Sequence, residues 1–239
     1  ETALLLWAMW QYYDLYRNIE LIRPLYRSFI QKAADFLVSY RDEQTGLPLP
    51  SYDLWEEKRG IWSFTTATVY AGLMAAANIS DIFYHTKKSQ LYRQTAIEIK
   101  KGIDQYLYSQ KHKRFLRMIY PKKDGGYEID ATIDASLYGI FAFGVYDPDD
   151  IKVQSTMKAI EETLWVKTKI GGIARYEDDT YQHSSNAGKI PGNPWIVCTM
   201  WVAQYYVSRA QSVEDLERVV NYLRWAVSRA LPSGVLAEQ

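Results

Sequence analysis

The sequence predicts an all-α fold built from paired helices, an α/α toroid or an α-solenoid. Three observations predict it. Helical segments follow one another along all 239 residues. They alternate between helices apolar nearly all round and helices with a single apolar stripe. The links between them alternate between short and long, so the repeating unit is a helix pair.

In order, residues 2–17 open with Thr2-Ala3-Leu4-Leu5-Leu6-Trp7, apolar on every side, which predicts a helix buried all round. Residues 21–40 place Leu25, Phe29, Ala33 and Phe36 on one stripe opposite Arg27, Lys32 and Asp35, an outer, half-wetted helix. Residues 64–85 are again apolar and 88–109 amphipathic. Residues 133–144 are apolar, with Asp134 as their N-cap, and 149–165 are amphipathic. Residues 195–210 contain the run Ile196-Val197-Cys198-Thr199-Met200-Trp201-Val202-Ala203. In 213–231, Leu216, Val219, Val220, Leu223 and Val227 oppose Glu217, Arg218 and Arg224. Short links fall near 18–20, 86–87, 145–148 and 211–212, which predicts antiparallel hairpins. Long links fall at 41–63, 110–132, 166–194 and from 232 onward, all expected to emerge on one face. Residues 114–118 and 127–129 around Asp124-Gly125-Gly126 predict one small β-hairpin on such a loop.

Composition narrows the chemistry. The 28 basic and 28 acidic residues cancel, so no long-range field attracts nucleic acid, an anionic membrane or a polyanionic substrate, and a neutral ligand fits better. The 48% hydrophobic content suffices for a core. The single cysteine, Cys198, lies in an apolar run and excludes an intrachain disulfide. With no visible signal peptide, this favours a cytoplasmic location. No segment has the roughly 18 uncharged apolar residues of a membrane span. Tyrosine and tryptophan number 20 and 8; these are core residues or, in the polar loops, platforms for the apolar face of a sugar ring.

Three long loops carry dense polar and aromatic clusters. They read Ser51-Tyr52-Asp53-Leu54-Trp55-Glu56-Glu57-Lys58-Arg59-Gly60, then Arg175-Tyr176-Glu177-Asp178-Asp179-Thr180-Tyr181 with Gly192-Asn193-Pro194-Trp195, then Ala237-Glu238-Gln239. Glycoside hydrolysis needs two carboxyl groups flanking one bond, and carboxylates on separate loops of one face meet that need. In this order the motifs resemble the glucoamylases of glycoside hydrolase family 15, along essentially the whole chain.

The resemblance implies an (α/α)6 toroid, incomplete here at about eight of twelve helices, with residues 1–239 part of a single catalytic domain of a longer enzyme. It implies Glu56 as general acid and Glu238 as general base. Asp53, Trp55, Glu57, Arg175, Asp179 and Trp195 are implied to bind substrate. The expected activity is exo-acting, inverting release of β-glucose from α-glucans, with no cofactor and no metal, and inversion sets the two carboxyl groups roughly 6.5–9.5 Å apart. Trehalase and α-1,6-glucosidase (glucodextranase) chemistry remain open, since they share the acid and base. So does a non-catalytic helical-repeat binding protein. Glu57 also reads as a solvated loop charge, whereas Glu56, beside Trp55 at the mouth of a buried helix, has the setting that keeps an acid protonated. His85, His112 and His183 show no metal-ligand spacing.

Overall fold

A computed structural model describes residues 1–183 and 190–239. In chain order the elements are α1 Thr2–Tyr16, α2 Ile19–Ile22, a π-helical turn Tyr26–Ile30, α3 Gln31–Ser39, β1 Ser51–Tyr52, β2 Arg59–Trp62, α4 Ser63–Ile82 and α5 Thr86–Gly102. A second π turn, Ile103–Leu107, precedes β3 Tyr108–Ser109, β4 Arg114–Phe115, β5 Met118–Pro121 and β6 Tyr127–Asp130. A 3₁₀ turn, Ala135–Tyr138, runs into α6 Gly139–Ala142, followed by α7 Ile151–Leu164, β7 Ile173–Ala174, β8 Pro194–Trp195, α8 Ile196–Arg209 and α9 Leu216–Val227. The chain is mostly helical, as predicted, and no helix among the described residues is long and apolar enough to cross a membrane.

The chain divides into two compact units. The first holds Glu1–Tyr108, Met118–Ile129 and Phe143–Val145, and the second holds Ser109–Arg117, Asp130–Ala142 and Tyr146–Gln239.

The first unit is organised on α4, an alanine-rich helix that is buried along most of its length. Small side chains let its neighbours approach closely: a Cβ on Gly72 would lie 2.8 Å from the carbonyl oxygen of Ala3 in α1. On α5, Tyr92 is fully buried and its hydroxyl donates to Asp35 at 2.8 Å, beside the Lys88–Asp35 ion pair at 2.7 Å. β1 and β2 lead directly into α4, so the first predicted cluster stands at the N-terminal end of the most buried helix.

In the second unit, capping residues set the starts. Asp134 accepts from Ser136 N–H at 2.8 Å, the N-cap role predicted for it, and Asp150 accepts from Lys152 N–H at 2.8 Å at the head of α7. Cys198 is fully buried on α8, and burial pushes its thiol well above the usual range, consistent with inert core. Tyr138 stacks on Trp201 at 4.2 Å, and burial, with a smaller contribution from Cys198, pushes its hydroxyl up to about 12.

Several local expectations are corrected. The helix expected over 21–40 is broken: α2 ends before Pro24, whose ring nitrogen has no proton to continue the ladder. A π turn then resets the face, so the buried stripe is Ile22, Tyr26, Ile30, Ala33, Ala34 and Leu37, and Phe36 is 49% exposed. The helix expected over 133–144 is a 3₁₀ turn plus one α turn. α9 buries Val219, Tyr222 and Ala226, and Val220, Leu223 and Val227 face solvent. α1 is buried on one side only, through Ala3 and Leu6, while Leu5 and Leu15 are 53% and 73% exposed. An all-apolar surface reports what a helix tolerates, not how many partners this chain supplies. The expected hairpin turns at the predicted glycines, but its first arm is β5, Met118–Pro121, rather than residues 114–118, of which Arg114–Phe115 pair instead with β3; β5 and β6 join a four-stranded sheet of order β1-β2-β5-β6, and β7 and β8 form a separate pair.

Candidate active site

The first cluster is built by a short hairpin. Ser51 pairs with Gly60 and Tyr52 with Arg59, which closes the connection over residues 53–58. Within it, Asp53 N–H donates to the Lys58 carbonyl at 3.0 Å and Glu56 N–H to the Asp53 carbonyl at 3.2 Å. Asp53 Oδ1 accepts two further backbone bonds, from Glu57 N–H at 2.7 Å and Lys58 N–H at 3.1 Å. Aspartate favours such turns because its short side chain mimics the backbone acceptor of a turn. The consequence falls on Glu56, held at φ 60° in the left-handed region. For a non-glycine residue that costs on the order of 1–3 kcal/mol, which the surrounding bonds must offset.

Asp53 is 6% exposed, and its other oxygen, Oδ2, is buried without a hydrogen-bond partner among the described residues. Glu56 and Glu57 are exposed and Trp55 is half-buried. The shelter expected around Glu56 is therefore absent within its unit, and Asp53 is the buried carboxylate of this loop. Tyr52, Asp53, Leu54 and Glu56 line a cavity of about 340 Å³ together with Thr65 and Thr68 from the first turns of α4.

The second cluster centres on Arg175, just after β7. Arg175 and Asp179 are 4% and 2% exposed. Arg175 Nε donates to Asp179 Oδ2 and Nη2 to Asp179 Oδ1, both at 2.7 Å. Asp179 also accepts from Tyr181 N–H at 2.9 Å, and its own N–H donates to the Pro191 carbonyl at 2.8 Å. The guanidinium lies over three rings, 5.1 Å from Tyr176, 4.8 Å from Tyr181 and 4.9 Å from Trp195. Trp195 is 6% exposed, in β8, where it pairs with Ile173. Gly192 is required here by close approach, because a Cβ would lie 2.7 Å from Asp179 Cβ.

Glu238 is exposed. Its carbonyl accepts from Ile196 N–H at 3.3 Å, at the start of α8, and Gln239 Oε1 accepts from Asn193 Nδ2 at 2.9 Å. The second unit thus brings Arg175, Asp179 and Trp195 into contact, with the Glu238 backbone beside Trp195. The first unit gathers Asp53, Trp55, Glu56 and Glu57 on one loop.

Sequence reasoning passed over Arg117, a fully buried cation beside Asp134. The available signal was a lone arginine inside the apolar run Phe115-Leu116-Arg117-Met118-Ile119, where a charge demands a partner. A larger cavity, about 1080 Å³, lies elsewhere, among α7, α8 and α9. Its half-buried carboxylate, Glu161, is already engaged by Tyr206, Tyr222 and Arg218, which makes it a structural hub. Burial alone would push Glu161 up, but these three partners together hold it below the usual carboxylate range.

Residues 1–229 match the profile described as Glycosyl hydrolases family 15. The chain is 33% identical over 203 residues to an uncharacterized glycosyl hydrolase of Methanocaldococcus jannaschii, covering 84% of this chain and 29% of that protein. It is 26% identical over 239 residues to a glucoamylase of Clostridium sp., covering 90% of this chain and 32% of the relative. It spans about a third of the length of these curated relatives. Among solved structures, a bacterial glucoamylase complexed with acarbose superposes with a TM-score of 0.73 at 23% identity, over 90% of this chain and 34% of the other. A family 15 glucoamylase from Hypocrea jecorina superposes with a TM-score of 0.70 at 16% identity, over 100% of this chain and 46% of the other. At these identities the likeness concerns the fold, the helical α/α toroid class.

Proposed function

The chain belongs to glycosyl hydrolases family 15, and from that premise we propose that it is part of the catalytic domain of an inverting, exo-acting α-glucoside hydrolase of the glucoamylase kind. Glu56 acts as general acid on the glycosidic oxygen. Glu238 acts as general base, removing a proton from the water that attacks the anomeric carbon, so that β-glucose is released. The substrate is a neutral α-glucan or α-glucoside, in keeping with the zero net charge.

The observation that carries this reading is the divided role of the Asp53 carboxylate. Oδ1 builds the turn that holds Glu56 in its left-handed conformation, while Oδ2 is buried, without a hydrogen-bond partner among the described residues, and part of the residue that lines the cavity Glu56 also lines. A buried acceptor without a donor is costly unless a ligand completes it, and a sugar hydroxyl is a suitable donor. Trp55 and Glu57 lie on the same loop and supply an apolar face and a second acceptor. Arg175, locked by Asp179 and backed by Trp195, supplies fixed donors for sugar hydroxyls; a planar guanidinium already paired loses little freedom on binding.

The same parts serve α-1,4, α-1,6 and trehalose linkages, which differ in what the leaving-group side accepts. The test is glucose release by the full-length enzyme from maltose, starch, dextran and trehalose. Release from maltose and starch above the others supports the glucoamylase reading, and preference for dextran or trehalose reassigns the linkage. No release from any of them sinks the hydrolase reading in favour of a binding role.

A further inference from the structure

We propose that Arg117 is a positioning residue for Arg175, acting through Asp134 and the ring of Tyr176. The inference rests on the substrate-binding role given to Arg175 above.

Arg117 is 2% exposed and Asp134 is 0% exposed, and they form an ion pair with Asp134 Oδ2 2.8 Å from Arg117 Nε; Asp130 Oδ2 lies 3.8 Å from Nη1. Desolvating an ion pair this completely is expensive and adds little stability over an apolar replacement, so its presence calls for another explanation. What the pair holds supplies one. The Arg117 guanidinium lies 4.2 Å from the centre of the Tyr176 ring, and the Arg175 guanidinium lies 5.1 Å from the same ring.

The backbones are joined as well. Asp134 bridges Tyr176, Ala135 N–H donates to the Arg175 carbonyl at 2.7 Å, and Glu177 N–H donates to the Ile133 carbonyl at 3.0 Å. Ile133 N–H in turn donates to Glu177 Oε2 at 2.5 Å. Arg175 is therefore fixed from two sides. Asp179 grips its guanidinium, and the Arg117–Asp134 pair fixes the strand and the ring from which that guanidinium projects. A purely apolar plug at 117 would fill the volume but would supply neither the charge that anchors Asp134 nor the flat cation against Tyr176.

The test uses the full-length enzyme. Arg117→Lys keeps the charge and loses the planar fork. It is expected to raise KM about tenfold with kcat within about threefold, the pattern of lost substrate binding. Arg175→Lys is expected to raise KM in the same way, and the double variant to be no worse than Arg175→Lys alone. A crystal structure of Arg117→Lys is expected to show the Arg175 guanidinium displaced from its 2.7 Å contacts with Asp179. If Arg117→Lys does not fold, the charge-neutral pair Arg117→Met with Asp134→Asn takes its place in both measurements. Unchanged KM with Arg175 unmoved overturns the proposal, even if thermal stability falls. If Arg175 moves in the Arg117 variant while Arg175→Lys leaves KM unaltered, the positioning stands and the substrate role of Arg175 fails.

Discussion

Asp179 receives Arg175 as a fork, with Nε on one carboxylate oxygen and Nη2 on the other, both at 2.7 Å and both side chains almost wholly buried. Removing Asp179 takes away both arms of this fork and leaves the guanidinium buried. Asp179→Ala is therefore expected to destabilise the protein by about 3–5 kcal/mol, and the apolar pair Arg175→Met with Asp179→Leu by less than the sum of the single changes. Urea unfolding reads both. A loss below about 1 kcal/mol for Asp179→Ala would mean the pair is better solvated than its geometry indicates.

Gly192 packs closely against Asp179. A methyl group there would sit 2.7 Å from Asp179 Cβ and 3.2 Å from its carbonyl oxygen, and that backbone is itself tied to Pro191. Gly192→Ala is expected to cost about 1–3 kcal/mol and to raise KM by shifting Asp179 and with it Arg175. Wild-type KM and stability together would show that the loop absorbs the methyl group freely.

These two clusters were partly legible in the sequence, for identifiable reasons. The loop from Tyr52 to Glu57 stood out because dense polar and aromatic residues interrupt a helical pattern. α4, α7 and α8 were placed within a few residues, while α5 begins close to the expected start but gives way at Gly102 to a π turn. Arg117 was hidden because its meaning depends on Asp134 and Tyr176, which are distant in sequence. The π turn at Tyr26–Ile30 was hidden because it turns one apolar stripe into another without changing composition. The exposure of α1 was invisible because hydropathy does not count neighbours.

Glu161 makes stability depend on pH in a definite direction. Its carboxyl is held below the ordinary value of 4.5 when folded, despite burial, by Tyr206, Tyr222 and Arg218. A depressed folded value means the stabilisation is fully present above about 4.5 and is lost as pH falls through the folded value. The gap in urea midpoint between wild type and Glu161→Gln should accordingly be widest near neutral pH and shrink in acid. Because Arg218 is 53% exposed, most of the effect should reside in the tyrosines, so Tyr206→Phe should cost about 1.5–3 kcal/mol and Arg218→Ala less. A gap that stays constant into acid contradicts the assignment.

Glu56→Gln in the full-length enzyme preserves side-chain size at a strained backbone position while removing the transferable proton. Turnover is expected to drop by about 10²-fold or more, within the range general acid catalysis contributes. The effect should shrink for substrates with activated leaving groups, such as aryl glucosides, which depart without protonation. Near-normal turnover of maltose would exclude Glu56 as the acid.

Glu238→Gln separates binding from chemistry. If Glu238 is the base, the variant still has Glu56 to protonate the leaving oxygen and Arg175 to bind the sugar, yet lacks the group that activates water, so substrate binding persists while hydrolysis fails. Isothermal titration with acarbose or maltose alongside a turnover assay makes the comparison. The product anomer then decides what kind of carboxylate Glu238 is. A base acting through water inverts the anomeric carbon and gives β-glucose first, whereas a carboxylate that attacks carbon directly passes through a covalent intermediate and gives α-glucose. Proton NMR of fresh product, recorded before mutarotation, distinguishes them. β-Glucose from wild type, with binding retained and turnover lost in Glu238→Gln, supports the inverting pair. α-Glucose would overturn the mechanism and with it the role of Glu238, even if every other residue of the site kept its place.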